Sequence, residues 1–376
     1  MTKLINKITA VLMLAFISAF MLYSVFDSKK NRSSEENREL SKRPGLSASS
    51  LLDGSYAEDL VSYNADHFPL RSRWLRLNSK LREEIGDGII NGVYVADDML
   101  LDADTSRRAS SGSSAAEINR FARDHSGAVY VVAVPTSSGV YGERLPEYLD
   151  DYRESRQISD FYDRLNKDIK RIDAYNILKM LNDNYIYYRS DTKWTSYGAY
   201  CVYRTVIQKL GFLPTTFDKY SIRHVTSDFR GNLYNRSQCS SVKPDIMDFY
   251  YYNDGEEVLS CTGIYNSGKI VAKRIYDDKQ LDSDYVYSAY LGESVPLLKI
   301  KTSVNNERKL LVIKDSYADC FIPFLTQHYS EIDVLTPELL DGPASKFVDF
   351  DSYEQTLFLF GIENLSDSSI FASLNH

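Results

Sequence analysis

Four stretches of this chain run apolar without a break: AVYVVAVP at 128 to 135, KLLVIKDS at 309 to 316 (apolar up to Ile313), IDVLTP at 332 to 337 and TLFLFGI at 356 to 362. A strand with one wet face alternates apolar and polar residues. Uninterrupted runs of strand length instead suit strands buried on both faces, as in a parallel sheet with helices on either side. Helical spacing supplies the covering layers. Leu70, Trp74, Leu77, Leu81 and Ile85 form one stripe that Gly86 can end, and Ile158, Phe161, Tyr162, Leu165, Ile169 and Ile172 predict a helix over 156 to 173. Ala199, Val202, Tyr203, Val206 and Leu210 predict another over 196 to 210, stopping at Gly211. The expected fold class is therefore α/β. Residues 212 to 305, with turns such as NDG and NSG, read as an antiparallel or irregular insertion.

Ahead of this domain, residues 8 to 26 (ITAVLMLAFISAFMLYSVF) carry no charge over 19 positions. At 1.5 Å per residue they nearly cross a hydrocarbon core of about 30 Å. The small residues fall inside the apolar run rather than after it, which favours an uncleaved anchor over a signal peptide. Residues 1 to 27 are thus expected as a transmembrane anchor, the polar stretch 28 to 52 as a juxtamembrane stalk, and 53 to 376 as one large domain. Long downstream domains translocate largely regardless of flanking charge, so a single-pass protein of the cell membrane with an extracytoplasmic C-terminal domain is expected.

A net charge of −8 and no basic stripe exclude nucleic acid as the main partner. No G-x-G-x-x-G follows a strand and no phosphate-binding loop or H-E-x-x-H occurs, so neither nucleotide nor metal chemistry is called for and no cofactor is expected. The four cysteines have no metal-site spacing. Cys239 and Cys261 could pair outside the cytoplasm, while Cys201 and Cys320 lie in helical patterns and read as core thiols. The 29 tyrosines suit either strands and interfaces or surfaces that stack on sugars.

Two segments carry candidate chemistry. The run ending at Asp315 and Ser316 precedes a helical pattern with Tyr317, Phe321, Phe324 and Leu325. Ser316 is therefore expected at the carboxyl end of a parallel strand, where open α/β sheets hold their sites, and beside a helix N-terminus whose free N–H groups could receive an oxyanion. The same position suits a plain N-cap serine. In YYRSDTKWTSYGAY, 187 to 200, an apolar strand read at 185 to 188 runs into Asp191 and then a helix start, so Asp191 and Lys193, two apart in extended chain, would share one face.

With these residues in view the chain resembles the DHHW-type family, related to alginate O-acetyltransferases and to SGNH hydrolases with permuted blocks. The resemblance rests on SEENRELSKRPGLSASSLLDGSYAEDL, DHFPLR, INGVYVADDMLL, RSDTKWTSYGAY, FRGNLYNRSQ, VKPD and LLVIKDSYADCFIPFLTQHYSEIDVL, in that order. It implies an SGNH-like sheet, acetyl transfer or ester hydrolysis on a cell-surface polysaccharide, Ser316 as nucleophile, Asp191 as the orienting acid, and Trp194 as the motif tryptophan. Gly231, Asn232 and Asn364 are suggested as oxyanion or substrate donors, each equally explicable as turn chemistry. DHFPLR reads as structural, with Arg71 tying it down.

The chain departs from the family at the base, where Thr192 and Lys193 replace the two histidines. Imidazole titrates near 6.5 and can accept a proton at neutral pH, whereas lysine would have to fall from about 10.4 to near 7, roughly 4 kcal/mol. Asp191 opposes that fall. Three readings remain: a Ser316–Lys193 dyad; a site without a proton acceptor, leaving a saccharide-binding or envelope-assembly module; or a histidine from elsewhere, His224 or His328.

Overall fold

The computed structural model describes residues 2–26, 31–33, 38–86, 88–103, 112–149, 154–253, 255–283 and 285–375. They form two compact units, Met1–Asp87 with Gln238–Ser240, and Gly88–Ser237 with Ser241–His376.

In the first unit, the helix Thr2–Phe26 contains the apolar run. Among the described residues no helix is long and apolar enough to cross a membrane; many side chains at both ends of this helix, 20, 21 and 23–26 among them, lie outside the described residues. Part of the expected stalk, residues 27–30 and 34–37, lies outside them too. The stretch from Arg38 to Arg71 is tied down at Asp66, which accepts from the guanidinium of Arg38 at 3.0 Å and the backbone N–H of Ser41 at 2.8 Å. The Arg38 hydrogen bond, against a smaller opposing effect of burial, holds the Asp66 carboxyl well below its ordinary value. Arg71 donates to the carbonyl of Ala65 at 2.9 Å and opens the helix Arg71–Ile85, which Gly86 ends at φ 87°.

The second unit is built on a mixed eight-stranded sheet in the order Ile270–Ala272, Val258–Ile264, Leu297–Thr302, Glu331–Leu335, Lys309–Lys314, Gln355–Gly361, Ala128–Val134, Lys170–Ile172. The last five are mutually parallel, and the first three pair antiparallel. The four unbroken apolar runs are the four central parallel strands. Their two faces feed two separate cores: Tyr130, Val132, Leu310, Val312, Leu357 and Leu359 on one side, Val129, Val131, Leu311, Ile313, Phe358 and Phe360 on the other. The stretch 212 to 305 is antiparallel, in part a ribbon of Tyr220–Phe229 with Asp245–Tyr252 and in part the three strands that extend the main sheet.

Several expectations are corrected. The helix read over 156 to 173 stops at Asp163, and Lys170–Ile172 is the edge strand of the sheet. The Asn119 side chain accepts from the N–H of Asn166 and donates to the carbonyl of Arg164, holding the turn between them. Ile158 and Phe161 thus fill the core from a helix, Ile169 and Ile172 from the turn and strand after it. No strand forms at 185 to 188; Tyr187 makes only an isolated bridge to Trp194. After Ser316 there is a three-residue 3₁₀ turn, Ser316–Ala318, and only later the four-residue helix Ile322–Leu325, whose Pro323 offers no N–H to an earlier turn. The expected helix dipole at Ser316 is absent. All four cysteines are free thiols, so Cys239 and Cys261 do not pair. Leu311 is fully buried; Leu311→Ala is expected to lower unfolding free energy by about 2–5 kcal/mol in urea, and a smaller loss would mean the sheet relaxes around the cavity.

Candidate active site

Three neighbouring parallel strands end at one edge of the sheet. Lys309–Lys314 delivers Asp315 and Ser316, Gln355–Gly361 delivers Glu363 and Asn364, and Ala128–Val134 delivers the loop 135–138. The segment 187–195 folds across these ends as a tight turn: Tyr188 N–H donates to the carbonyl of Lys193 at 3.2 Å and Thr195 N–H to that of Ile186 at 2.9 Å. From the Ala128–Val134 side, Ser137 donates to the carbonyls of Asp191 through its hydroxyl and of Thr192 through its N–H.

Two bonds clasp this turn to the serine. The buried indole of Trp194 donates to the carbonyl of Tyr317 at 2.8 Å, and the Tyr317 hydroxyl donates to the carbonyl of Thr192 at 3.2 Å. Ser316 is half-buried at the start of its turn. Asp315 caps that turn, accepting from Tyr317 N–H at 2.8 Å, Gly361 N–H at 2.8 Å and the Asn364 amide at 2.7 Å. Burial raises the Asp315 carboxyl above its usual value against those donors. Gly361 lies so close to Tyr317 that a Cβ would stand 2.4 Å from its ring.

Asp191 and Lys193 do meet, with Nζ 4.0 Å from Oδ1, because a turn and not strand alternation folds one onto the other. The Asp191 oxygens are taken by backbone: Oδ1 by the N–H of Lys193 at 3.0 Å, Oδ2 by that of Asn232 at 2.8 Å. Gly231 donates to the Ser190 hydroxyl at 2.9 Å, and a Cβ at Gly231 would stand 2.3 Å from Asp191. Gly231, Asn232 and Asn364 therefore gather at the site but spend these donors on Ser190, Asp191 and Asp315.

Lys193 is 7% exposed. Its ammonium lies 5.3, 5.6 and 5.9 Å from the ring centres of Tyr287, Tyr317 and Tyr285. Burial by itself disfavours the charge, but Tyr285 and the carboxylates of Asp191, Glu363 and Asp315 outweigh it, and the group titrates above an ordinary lysine. The carboxylates of this field favour the charged amine at neutral pH. Next to it Lys314 and Asp319, both buried, pair at 2.5 Å.

Neither histidine considered from sequence fills the gap. His224 is exposed and pairs with Asp248 at 2.5 Å. His328 meets the Tyr203 hydroxyl at 2.6 Å and packs on Phe212; burial holds its pKa down, to about 4. Sequence reasoning missed Tyr285, Tyr287 and Asp245. Asp245, the acid of VKPD, accepts from Arg189 N–H at 2.8 Å, Ser190 N–H at 3.0 Å, the Ser190 hydroxyl at 2.5 Å and the Tyr185 hydroxyl at 2.6 Å. An acid after Pro244 was the available signal.

A family model described as DHHW protein matches residues 86–335. Among solved structures, a DHHW family protein from Eubacterium siraeum aligns at 22% identity with TM-score 0.65, covering 75% of this chain and 94% of that one. Bacillus cereus PatB1 with a sulfonyl adduct aligns at 17% identity with TM-score 0.62, covering 74% and 97%. The O-acetyltransferase domain of Pseudomonas putida AlgJ aligns at 15% identity with TM-score 0.44, covering 76% and 98%. No curated protein sequence matches.

Asp245→Ala strands four donors beneath the site and is expected to cost about 3 kcal/mol or more, read by thermal melting; a loss under ~1 kcal/mol would show that the turn is held by other contacts. Lys193 has a second signature. Since its folded pKa exceeds the unfolded value, its charge contributes stability that is complete below the ordinary lysine range near 10.4 and fades as pH rises through the raised folded value. Lys193→Met should lower stability at pH 7 to 9 and flatten the alkaline decline in urea titrations; an unchanged alkaline limb would contradict the assigned charge.

Proposed function

The chain belongs to the DHHW protein family, and from that premise we propose that it is a membrane-anchored, extracytoplasmic protein of the polysaccharide O-acetylation type. In this reading Ser316 attacks an acetyl ester and passes the acetyl group to a glycan hydroxyl or to water. The observation that carries it is the clasp from Trp194 to the Tyr317 carbonyl and from Tyr317 back to Thr192, which puts the Ser316 turn against the Asp191–Lys193 turn although the two are about 125 residues apart. The anchor rests on the uncharged sequence run at residues 8 to 26. A cavity of about 600 Å³ lined by Pro337, Glu338, Pro343, Glu363, Asn364 and Ser369 opens beside Asn364, large enough for a sugar ring.

A second reading is favoured by the same lysine: a cation held in place of the imidazole gives Ser316 no neutral amine as acceptor, and the cleft would then only bind saccharide or take part in envelope assembly. Full-length protein in detergent, assayed on p-nitrophenyl acetate beside Ser316→Ala and Lys193→His, separates the two. Turnover lost in Ser316→Ala supports acetyl chemistry. Turnover confined to Lys193→His supports the binding module, which should then retain acetylated glycan in a pull-down.

A further inference from the structure

We propose that the buried ion pair Lys314–Asp319 positions the nucleophile turn: by joining the residue before Asp315 to the residue after Ala318, it fixes where Ser316 presents its hydroxyl. The inference rests on the acetyl-transfer reading and names the residues that hold its serine in place.

Local geometry creates the need. A serine at a strand end can be anchored by a helix that begins beside it, whose regular hydrogen-bond ladder fixes each residue in turn. Here that helix is missing. The chain leaves the strand Lys309–Lys314, makes the 3₁₀ turn Ser316–Ala318, and regains a helix only at Ile322. The backbone bonds of the turn are long: Ala318 N–H donates to the Asp315 carbonyl at 3.2 Å and Asp319 N–H to the Ser316 carbonyl at 3.3 Å. Both lie at or past the upper end of the usual range, so the backbone alone holds this turn weakly.

The ion pair closes the turn from outside. Lys314 Nζ donates to Asp319 Oδ1 at 2.5 Å, reaching across residues 315 to 318. The two side chains are only 5% and 4% exposed, so water does not compete for the bond. Lys314 is fixed by its strand, where it stands opposite Leu359 of Gln355–Gly361. Asp319 belongs to no strand or helix, and its neighbour Cys320 receives the Tyr287 hydroxyl at 3.2 Å. The bridge therefore ties the far end of the turn to the sheet. Ser316 lies between the two ends and takes its position from both.

Stability is a poor reason for such a pair. Taking two charges out of water offsets most of their attraction, and apolar side chains of similar size often leave a fold as stable or more so. Apolar residues do not supply a directional bond of fixed length. A misplacement of ~1 Å in a reacting group costs on the order of 100-fold in rate. A bond that sets the width of the turn thus bears on chemistry more than on folding.

The test compares the full-length protein with the double variant Lys314→Met, Asp319→Leu, which removes both charges and leaves neither unpaired. Thermal melting is read beside kcat and KM for p-nitrophenyl acetate from about pH 6 to 9, with the Ser316→Ala rate subtracted. The double variant should melt within about 5 °C of the unaltered protein. Its KM should stay within about twofold while kcat falls about 10- to 100-fold. The shape of the pH profile should not change, because a cation and an anion leave together. If kcat falls by less than about tenfold, or melting drops by more than those few degrees, the pair serves the fold and not the serine, and the acetyl-transfer reading stands. A displaced pH profile would show the pair working through the charge on Lys193, which also acts on Asp319, and would overturn the positioning role alone. If the unaltered protein shows no Ser316-dependent turnover at any pH, both fail.

Discussion

A single indole N–H organises the site. The Trp194 nitrogen is a donor only, is fully buried, and finds its partner in the carbonyl of Tyr317, 123 residues on. Leaving such a donor unpaired in the interior costs about 1–3 kcal/mol, so the two turns are under energetic pressure to stay together. Tyr317 then acts three ways from one backbone position: its carbonyl receives the indole, its ring lies against Gly361 and near Lys193, and its hydroxyl closes the loop onto Thr192. Ser316 precedes it directly and inherits the placement. In this chain Trp194 thus serves the geometry of the site.

An ammonium at position 193 suits this surrounding electrostatically. Asp191, Asp315, Asp319 and Glu363 all act on Lys193 or are acted on by it. Asp315 and Asp319 are raised by burial, which measures how poorly the interior tolerates their charge. Lys314 answers Asp319 directly. An imidazole, largely neutral at pH 7, would leave the remaining acids short of a counter-charge, while a lysine supplies it at every physiological pH. Lys193 is therefore a standing cation at the site.

The parallel strands were legible because burial on both faces leaves its mark within a few consecutive residues, and so was the helix Ser196–Lys209, capped by Thr195. The site motifs were legible as motifs. Features that depend on a partner remote in the chain escaped. YIYY has strand composition, yet Asp245 and the FRGN segment bind the adjoining residues 189–191 into a turn instead. The helix expected after Ser316 yields to a 3₁₀ turn even though Asp315 caps it, since Pro323 offers no N–H to carry a helix on from that turn. Tyr285 and Tyr287 sit in a stretch with no periodicity at all, and nothing local says that a lysine 92 residues earlier rests against Tyr285.

Many of the tyrosines lie in the interior. Tyr188, Tyr203, Tyr287, Tyr290, Tyr317 and Tyr329 are among the largest fully buried side chains, and each hydroxyl has a partner: Tyr188 meets Tyr290, Tyr290 also meets Ser196, Tyr203 meets His328, Tyr287 meets Cys320, Tyr317 meets Thr192 and Tyr329 meets Gln355. Phenols with satisfied hydroxyls give a core that is both apolar and directional, which aliphatic side chains cannot supply. That property matters most at Lys193, a long side chain whose ordering costs about 1.5–2 kcal/mol of rotamer entropy. The rings of Tyr287 and Tyr317, each held by its own hydroxyl bond, stand with that of Tyr285 around its ammonium and place the charge without relying on substrate to do so.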